Sequence, residues 1–585
     1  MQTTAPPNVL FILTDDQGYG DLSCHGSPVL QTPAMDRLHA ESVRLTDFHV
    51  GPTCAPTRST LLTGHYANST GVWHTIGGRS LLRDDEWTFA DALQADGYRT
   101  ALFGKWHLGD NYPYRPMDRG FQTTVTHAGG GISQTPDHWG NDYFDDTYSY
   151  NGNPQPYDGY CTDVWFRLAT DYIDTPDDRP FCCMIAPNAP HTPWNVEDRY
   201  VEPYRGRCPD DRARFFGLIA NLDENLGRLL DHLEANGLAD NTIVVFMTDN
   251  GTAGGVALDR NGFVTDGFNA GMRGVKGWAH EGGHRVPCFI RWPNGGLGGT
   301  PASAKDVDDL TASVDFMPTL LDLCGATVPD DRTFHGTSLV PLLRGEPQPK
   351  LDGRIVVTDS QRNVRPVKWK DSAAMRGKWR LINGEALYDT AADPEQRDDL
   401  ANDHPQIVSD LRAGYETWWD LVTVRADERI PISVLPDRPT DLNAHDWRND
   451  TSDAPWHQGM IRTGYVCRGH WELEVGVAGV YRIEMRRWPI EAGAALDADP
   501  PAVDWRRDAV HAEFADWYDG GRRTVFERAV IRIDDTRYEQ PVASDAEAAV
   551  FEVLLDAGPL LLQADFEGDA EGTIGAYYVR VSPVV

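Results

Sequence analysis

Asn8-Val-Leu-Phe-Ile-Leu13 is an unbroken apolar run that stops at Thr14-Asp15-Asp16, and Thr242-Ile-Val-Val-Phe-Met247 stops in the same way at Thr248-Asp249-Asn250. Both read as parallel strands buried on both faces, because a strand covered on each side needs no polar alternation. Between them the clearest helix is predicted over residues 210–236, where Phe215, Ile219, Leu222, Leu226, Leu229 and Leu233 recur at three- and four-residue steps before Gly237. Strand and helix alternate, so the class is α/β with a mostly parallel central sheet flanked by helices. In open sheets of this kind the ligand site lies beyond the carboxyl ends of the strands. The two acidic clusters are therefore expected to meet there.

Beyond about Gly345 the pattern changes to short strands (354–358, 379–382, 386–388) and a helix over 404–419, a small α+β appendage. Residues 430–456 are rich in Pro, Asp and Asn with little periodicity, which reads as a linker or surface loop. From near Tyr465, stretches such as Trp471-Glu-Leu-Glu-Val, Tyr481-Arg-Ile-Glu-Met and Ala576-Tyr-Tyr-Val-Arg-Val alternate polar with apolar, as an antiparallel β sandwich requires. The expected division is an α/β domain over 1–350, an α+β subdomain over 351–428, a linker over 429–458 and a β-sandwich module over 459–585. No internal repeat is present.

The 585 residues are too many for one core, and at roughly 100–200 residues per domain they imply two to four units. With 41% hydrophobic and 24% charged residues the composition excludes bulk disorder. The balance of 53 basic against 88 acidic residues gives −35, which repels a phosphate backbone and argues against nucleic acid as a partner. Only seven of the basic residues are Lys. No apolar run reaches the roughly 18–20 residues of a membrane span, and Met1 to Pro7 lacks the basic and hydrophobic parts of a signal peptide. Nine cysteines without metal-type spacing leave at least one unpaired. A soluble chain is expected, cytoplasmic as it stands and periplasmic or secreted if a leader has been removed. The pair Cys182-Cys183 sits in the apolar run 181–185 and reads as core.

Pro52-Thr-Cys54-Ala-Pro56-Thr-Arg58-Ser-Thr-Leu-Leu-Thr63-Gly64 carries the most chemistry. Pro56 suits the first turn of a helix, so Cys54 stands at a helix N-terminus, where free N–H groups and the dipole favour anions. Arg58 adds a fixed positive charge one turn on. Asp15, Asp16, Asp249 and Asn250 form a set of hard oxygen ligands suited to Ca²⁺ or Mg²⁺ and poor for Zn²⁺. Lys105 and His107 follow the short apolar run 100–103 at another strand end. Aromatic and polar residues within 72–79, 127–146 and 194–197 are candidate pocket walls.

The Cys54 stretch resembles the signature of the formylglycine-dependent sulfatases, Cys-x-Pro-Ser/Thr-Arg-x-x-x-x-Thr-Gly, and further blocks of that family follow in order. They are the 8–16 run, Gly104-Lys105-Trp106-His107-Leu108-Gly109, Ala186-Pro-Asn-Ala-Pro-His191-Thr-Pro193, Thr248-Asp249-Asn250-Gly251, and Lys276-Gly-Trp-Ala-His-Glu-Gly-Gly283. The likeness covers roughly residues 8–425. It implies an alkaline phosphatase-like fold and hydrolysis of sulfate monoesters, of a sulfated carbohydrate and of aryl sulfates. Cys54 would be oxidised to Cα-formylglycine by a maturation enzyme, and Ca²⁺ (or Mg²⁺) would sit on Asp15, Asp16, Asp249, Asn250 and modified Cys54. Arg58 would hold the nucleophile near its alkoxide form, Lys105 and Lys276 would offset charge on the sulfuryl oxygens, His191 would protonate the leaving alcohol and His107 would accept a proton as sulfate departs. Two other readings compete: a phosphonate monoester or phosphodiester hydrolase of the same superfamily, and a non-catalytic binder of sulfated glycans.

Overall fold

The computed structural model describes residues 5–543, 545–568 and 572–584, so the start of the Met1–Pro7 segment and Val585 lie outside the described residues. One ten-stranded sheet organises the first part of the chain. Its strands are Asn8–Thr14 (β1), Val43–Leu45 (β2), Arg99–Lys105 (β3), Thr123–His127 (β4), Thr147–Tyr150 (β5), Asn153–Pro156 (β6), Phe181–Ala186 (β7), Thr242–Thr248 (β8), Cys288–Arg291 (β9) and Lys305–Val307 (β10). The spatial order is β10-β2-β9-β8-β1-β7-β3-β4-β5-β6. The run from β8 through β1, β7 and β3 to β4 is parallel throughout, and β9 turns antiparallel at its flank.

The apolar run of β1 is buried on both faces. Val9, Phe11 and Leu13 join a core with Ile243, Val245 and Met247, while Leu10 and Ile12 face the opposite core with Val244 and Phe246. Cys182 and Cys183 divide between the same two cores, so the pair is packing, as expected. Helices Pro33–Ala40 (α1), Cys161–Asp174 (α3) and Asp210–Ala235 (α4) cover one face, and Cys54–Thr63 (α2) with Phe316–Cys324 (α5) the other. Among the described residues no helix is long and apolar enough to cross a membrane.

Register brings the acids together. Thr14 pairs with Thr248, so Asp15 and Asp249 leave the sheet at the same level, and the Asp249 N–H donates to the Thr14 carbonyl at 3.1 Å. On the other side Gly104 pairs with Ala186 and sets Lys105 at that same end. Gly104 has φ +108, and a Cβ there would meet the Ala186 oxygen at 2.1 Å, so only glycine lets the strand end pass so close.

The α+β appendage is an antiparallel sheet of Val356–Asp359, Ser372–Arg376, Trp379–Ile382 and Ala386–Asp389 with helix Pro405–Val422 (α6) packed on it. The last part of the chain is a two-sheet β sandwich around Trp471, Leu473, Tyr481, Ile483, Val579 and Val581. In its strand His470–Val475 alternate side chains are buried, which is the periodicity visible in the sequence. One expectation is corrected here. Within 429–458, read as a linker, Ile432–Val434 pairs with Leu473–Val475 in one sheet and Thr440–Asn443 pairs with Tyr578–Val581 in the other. These edge strands are three and four residues long, too short for a period-2 pattern to stand out among the surrounding Pro and Asp.

The sandwich is docked on the α/β domain through hydrogen bonds. The Tyr518 hydroxyl is 2.7 Å from Ser133 Oγ and accepts from Asn195 Nδ2 at 3.0 Å, and the Gln458 N–H donates to the Ser133 carbonyl at 3.0 Å. Tyr518→Phe should remove both contacts while Ser133 Oγ keeps the Asn141 carbonyl at 2.6 Å and Asn195 Nδ2 keeps the Asp142 carbonyl at 3.2 Å, at a cost of about 0.5–1.5 kcal/mol. The expected outcome is a lower denaturant midpoint for the sandwich transition, and an unchanged midpoint would show that this contact does not hold the module in place.

Candidate active site

The Pro52–Gly64 stretch folds as its residue types require. Thr53, extended at φ −144, precedes α2, whose first residue is Cys54 and whose third is Pro56, where a missing N–H costs nothing. Gly64 at φ +69 ends the helix in the left-handed conformation. Cys54 is buried at the positive end of a buried helix, beneath the carboxyl ends of β1, β3 and β8.

Charges alternate around it. Arg58 donates through Nε and Nη2 to Asp249 Oδ2 at 3.0 and 2.7 Å, and through Nη1 to the Lys105 carbonyl at 3.0 Å. Lys105 Nζ lies 2.6 Å from Asp15 Oδ2, with both side chains fully buried. Lys276 Nζ reaches both oxygens of Asp16, at 2.6 and 2.8 Å, and is the cation partly open to solvent. Asn250 Nδ2 donates to Asp16 Oδ1 at 2.9 Å. Burial works against ionisation of Asp16, yet Lys276 with His191 and Lys105 holds its carboxyl below the usual range. Asp15 and Asp249 go the other way, each raised first by burial, with Asp16 adding to the rise at Asp15 and Asp15 to that at Asp249.

Those two raised carboxyls bear on a metal. Asp15 Oδ1 and Asn250 Oδ1 are buried without a hydrogen-bond partner, and donor atoms of Asp15, Cys54 and Asp249 lie within 4.8 Å of one another. Unpaired buried oxygens beside repelling carboxylates fit a hard cation. A second cluster, His49, Glu281 and His284, contrasts with it. There Glu281 already holds Arg380 at 2.7 Å, and His49 bonds to Asp47 and His284 at 2.9 Å each.

His107 Nδ1 faces Cys54 Sγ at 3.3 Å, and its Nε2 lies 2.8 Å from the Thr75 carbonyl. A carbonyl only accepts, so the proton is assigned to Nε2 and the Nδ1 lone pair points at Cys54. Burial, then Lys105, keeps this imidazole neutral, with a pKa well below the ordinary value. His191 bonds through Nδ1 to the Thr192 carbonyl and turns Nε2 toward Asp16 Oδ2 at 3.8 Å; burial and Lys276 lower its pKa to about 3. The structure thus brings together Asp15, Asp16, Cys54, Arg58, Lys105, His107, His191, Asp249, Asn250 and Lys276.

It adds groups that side-chain chemistry could not announce. The Thr75 carbonyl fixes the His107 tautomer, and the His445 carbonyl accepts from the Gly77 and Gly78 N–H groups at 2.8 and 3.1 Å, tying that loop to the sandwich. Gly130 lets the chain pass against His107, since a Cβ there would lie 2.3 Å from Cε1. Thr75 and Gly130 fall in stretches proposed as pocket walls, whereas His445 falls in the stretch read as a linker.

Comparison with known proteins gives the family. The sulfatase family model matches residues 7–326, and that of the N-sulphoglucosamine sulphohydrolase C-terminal region matches 275–414. The chain belongs to the sulfatase family and is a sulfuric ester hydrolase. It is 30% identical to human arylsulfatase A over 454 residues, which is 69% of this chain and 81% of that one. Mouse arylsulfatase J is 28% identical over 463 residues, 74% of this chain and 73% of its own. Among solved structures, Ps i-CgsB in complex with k-i-k-neocarrahexaose superposes with a TM-score of 0.62 at 25% identity, covering 71% of this chain and 93% of that one.

A Cβ on Gly78 would meet the Asp446 oxygen at 2.7 Å at φ +62. Gly78→Ala should therefore push the 74–79 loop off the sandwich at a backbone cost of about 1–3 kcal/mol. The Nε2–H signal of His107 in a histidine NMR spectrum should shift or broaden. An unchanged spectrum would mean the loop holds His107 without the sandwich.

Proposed function

We propose that this sulfatase hydrolyses the sulfate monoester of a sulfated carbohydrate, and of aryl sulfates, through a formylglycine derived from Cys54. The observation that carries the reading is the His107 lone pair aimed at Cys54 at 3.3 Å, at a helix N-terminus ringed by Lys105, Lys276 and Arg58. A maturation enzyme would replace the CH₂SH of Cys54 by an aldehyde, whose hydrate places two hydroxyls where Sγ now stands. One hydroxyl attacks sulfur as the ester oxygen leaves. Arg58 favours the deprotonated form of that hydroxyl, and Lys105 and Lys276 face the charge on the sulfuryl oxygens. His107 then takes the proton of the second hydroxyl, the bond to sulfate breaks and the aldehyde returns. This release is open to a geminal diol and closed to Ser or Cys.

His191 is the proposed acid for the leaving alcohol. In isolation its lowered pKa is wrong for that role, but an anionic sulfate beside it raises the pKa toward the working range. We propose Asp15, Asp16, Asp249 and Asn250, with an oxygen of modified Cys54, as the ligands of Ca²⁺ or Mg²⁺. When bound, this ion supplies positive charge that stabilises the nucleophile and the sulfuryl oxygens. The saccharide substrate is supported by the carbohydrate bound to the structural relative, and the domain division at 350, 428 and 458 is proposed with the revision that 429–458 serves the sandwich.

The peptide holding Cys54 should be about 18 Da lighter than its thiol form after co-expression with a maturation enzyme. Cys54→Ala should lose at least about three decades of kcat while staying folded. Full activity with an unmodified thiol would sink the mechanism. A kcat/KM for a phenyl phosphonate more than about tenfold above that for an aryl sulfate would transfer the assignment to the phosphonate hydrolases.

Cation affinity should fall with pH in a defined direction. Asp15 and Asp249 have raised pKa values in the metal-free protein, Asp249 at about 6, so at lower pH the ion must displace protons. Elemental analysis of chelator-treated, reconstituted protein should find one divalent cation at pH 8 and markedly less at pH 5. Asp15→Asn should lose it at both, and unchanged stoichiometry in that variant would remove the ligand assignment.

A further inference from the structure

The chain carries −35, yet arginines gather at the Gly77-Gly78 turn, in the loop whose Thr75 carbonyl meets His107. A Cβ on Gly77 would lie 2.4 Å from Arg79 Nη1, and one on Gly78 would lie 3.0 Å from Arg448 Nε, so the two guanidinium groups flank this turn. Arg79 is 1% exposed, and its Nε and Nη2 have no hydrogen-bond partner among the described residues. Arg448, from the sandwich, lies over the Trp73 ring at 5.3 Å; Glu472 and Asp446 are opposing charges in its surroundings, but neither Arg448 nor Arg79 forms an ion pair with a carboxylate among the described residues. Arg362 is half exposed and lies between Gln361 and Asn363, which bond to the Trp73 carbonyl and indole N–H at 3.3 and 3.2 Å; its guanidinium is 3.7 Å from Asp453, an exposed pair worth little. His74 links this cluster to the sulfate site. Its neighbour Thr75 meets His107 Nε2 through its carbonyl at 2.8 Å, and burial first, then Arg362, Arg79 and Lys276, lowers the His74 pKa to about 3.

A buried guanidinium with two unpaired N–H groups, beside a second one that lacks an ion pair and a third held only by an exposed one, can accept an anion from elsewhere. We propose that Arg362 and Arg448, backed by Arg79, form a second anion subsite that takes a carboxylate or sulfate on the sugar next to the one bearing the scissile ester. The planar guanidinium fork suits both groups, since each offers two oxygens to one arginine. Arg448 belongs to the sandwich and Arg79 to the α/β domain, so the subsite exists only where the two dock. The inference deepens the saccharide-sulfatase reading and rests on it for the identity of the substrate, while the charge cluster itself does not.

Calorimetry with disaccharides that lack the scissile sulfate tests the subsite without turnover. One disaccharide is neutral, one carries a uronate carboxylate and one carries a sulfate on the neighbouring ring. The wild-type protein should bind at least one anionic form about tenfold more tightly than the neutral one, the equivalent of about 1.4 kcal/mol. That preference should shrink as salt is raised, and by about fivefold or more in Arg362→Gln and in Arg448→Gln. Which anionic arm responds identifies the group as carboxylate or sulfate. Equal binding of all three sugars, or a preference kept in both variants, overturns the proposal. An intact preference in a protein that turns over no sulfate ester would uphold the subsite and refute the sulfatase chemistry, which keeps the two failures apart.

Discussion

Three carboxylates at the ends of two adjacent strands cannot remain charged in a buried site without cations, and much of this architecture follows from that constraint. The pairing of Thr14 with Thr248 fixes Asp15, Asp16 and Asp249 together, and Lys105, Lys276 and Arg58 answer them one for one. Each cation comes from a different element, β3, a loop and α2. An unpaired buried charge costs several kcal/mol, so the relative placement of these elements is set by charge balance as much as by packing. The oxygens left over, Asp15 Oδ1 and Asn250 Oδ1, are buried without a hydrogen-bond partner and are the acceptors that the proposed cation would satisfy.

The same constraint explains what could be read from sequence. β1 and β8 are legible because a strand buried on both faces has to be apolar throughout and has to end where polar ligands begin. α4 is legible from its long leucine period. Cys54, Arg58, Lys105, His107, His191 and Lys276, which the structure brings together, are legible because each proposed role demands one chemical type. Carbonyl contacts are not legible in this way. Thr75 and His445 act through backbone oxygens, which every residue has, so nothing in their side chains announces the contact. The strands Ile432–Val434 and Thr440–Asn443 were hidden for a related reason, since at three and four residues their pairing is decided by the partner strand and not by their own pattern.

The sandwich lies beyond both family matches, which end at residue 414, yet it reaches the centre of the site through one short path. The His445 carbonyl holds Gly77 and Gly78, the loop carries Thr75, and the Thr75 carbonyl sets which nitrogen of His107 is free. The path consists of hydrogen bonds in series, so its stiffness is that of its weakest member. The left-handed glycines at 77 and 78 are what allow the turn to come so close to the sandwich. The imidazole that faces Cys54 is thereby oriented from outside the domain that bears it.

Electrostatics decides how such an acidic protein can approach a sulfated sugar. The net charge of −35 repels a polyanion at long range, but at physiological ionic strength the Debye length is about 8 Å, so distant surface carboxylates are largely screened. Groups in contact are screened far less. Lys105 and Lys276 stand within hydrogen-bond distance of the site's own acids, and Arg79 and Arg448 flank the Gly77-Gly78 turn of the loop that meets His107. Near-field attraction therefore outweighs far-field repulsion once the ester enters the pocket. The acidic exterior then acts mainly on encounter rate, and the buried cations act on what is held.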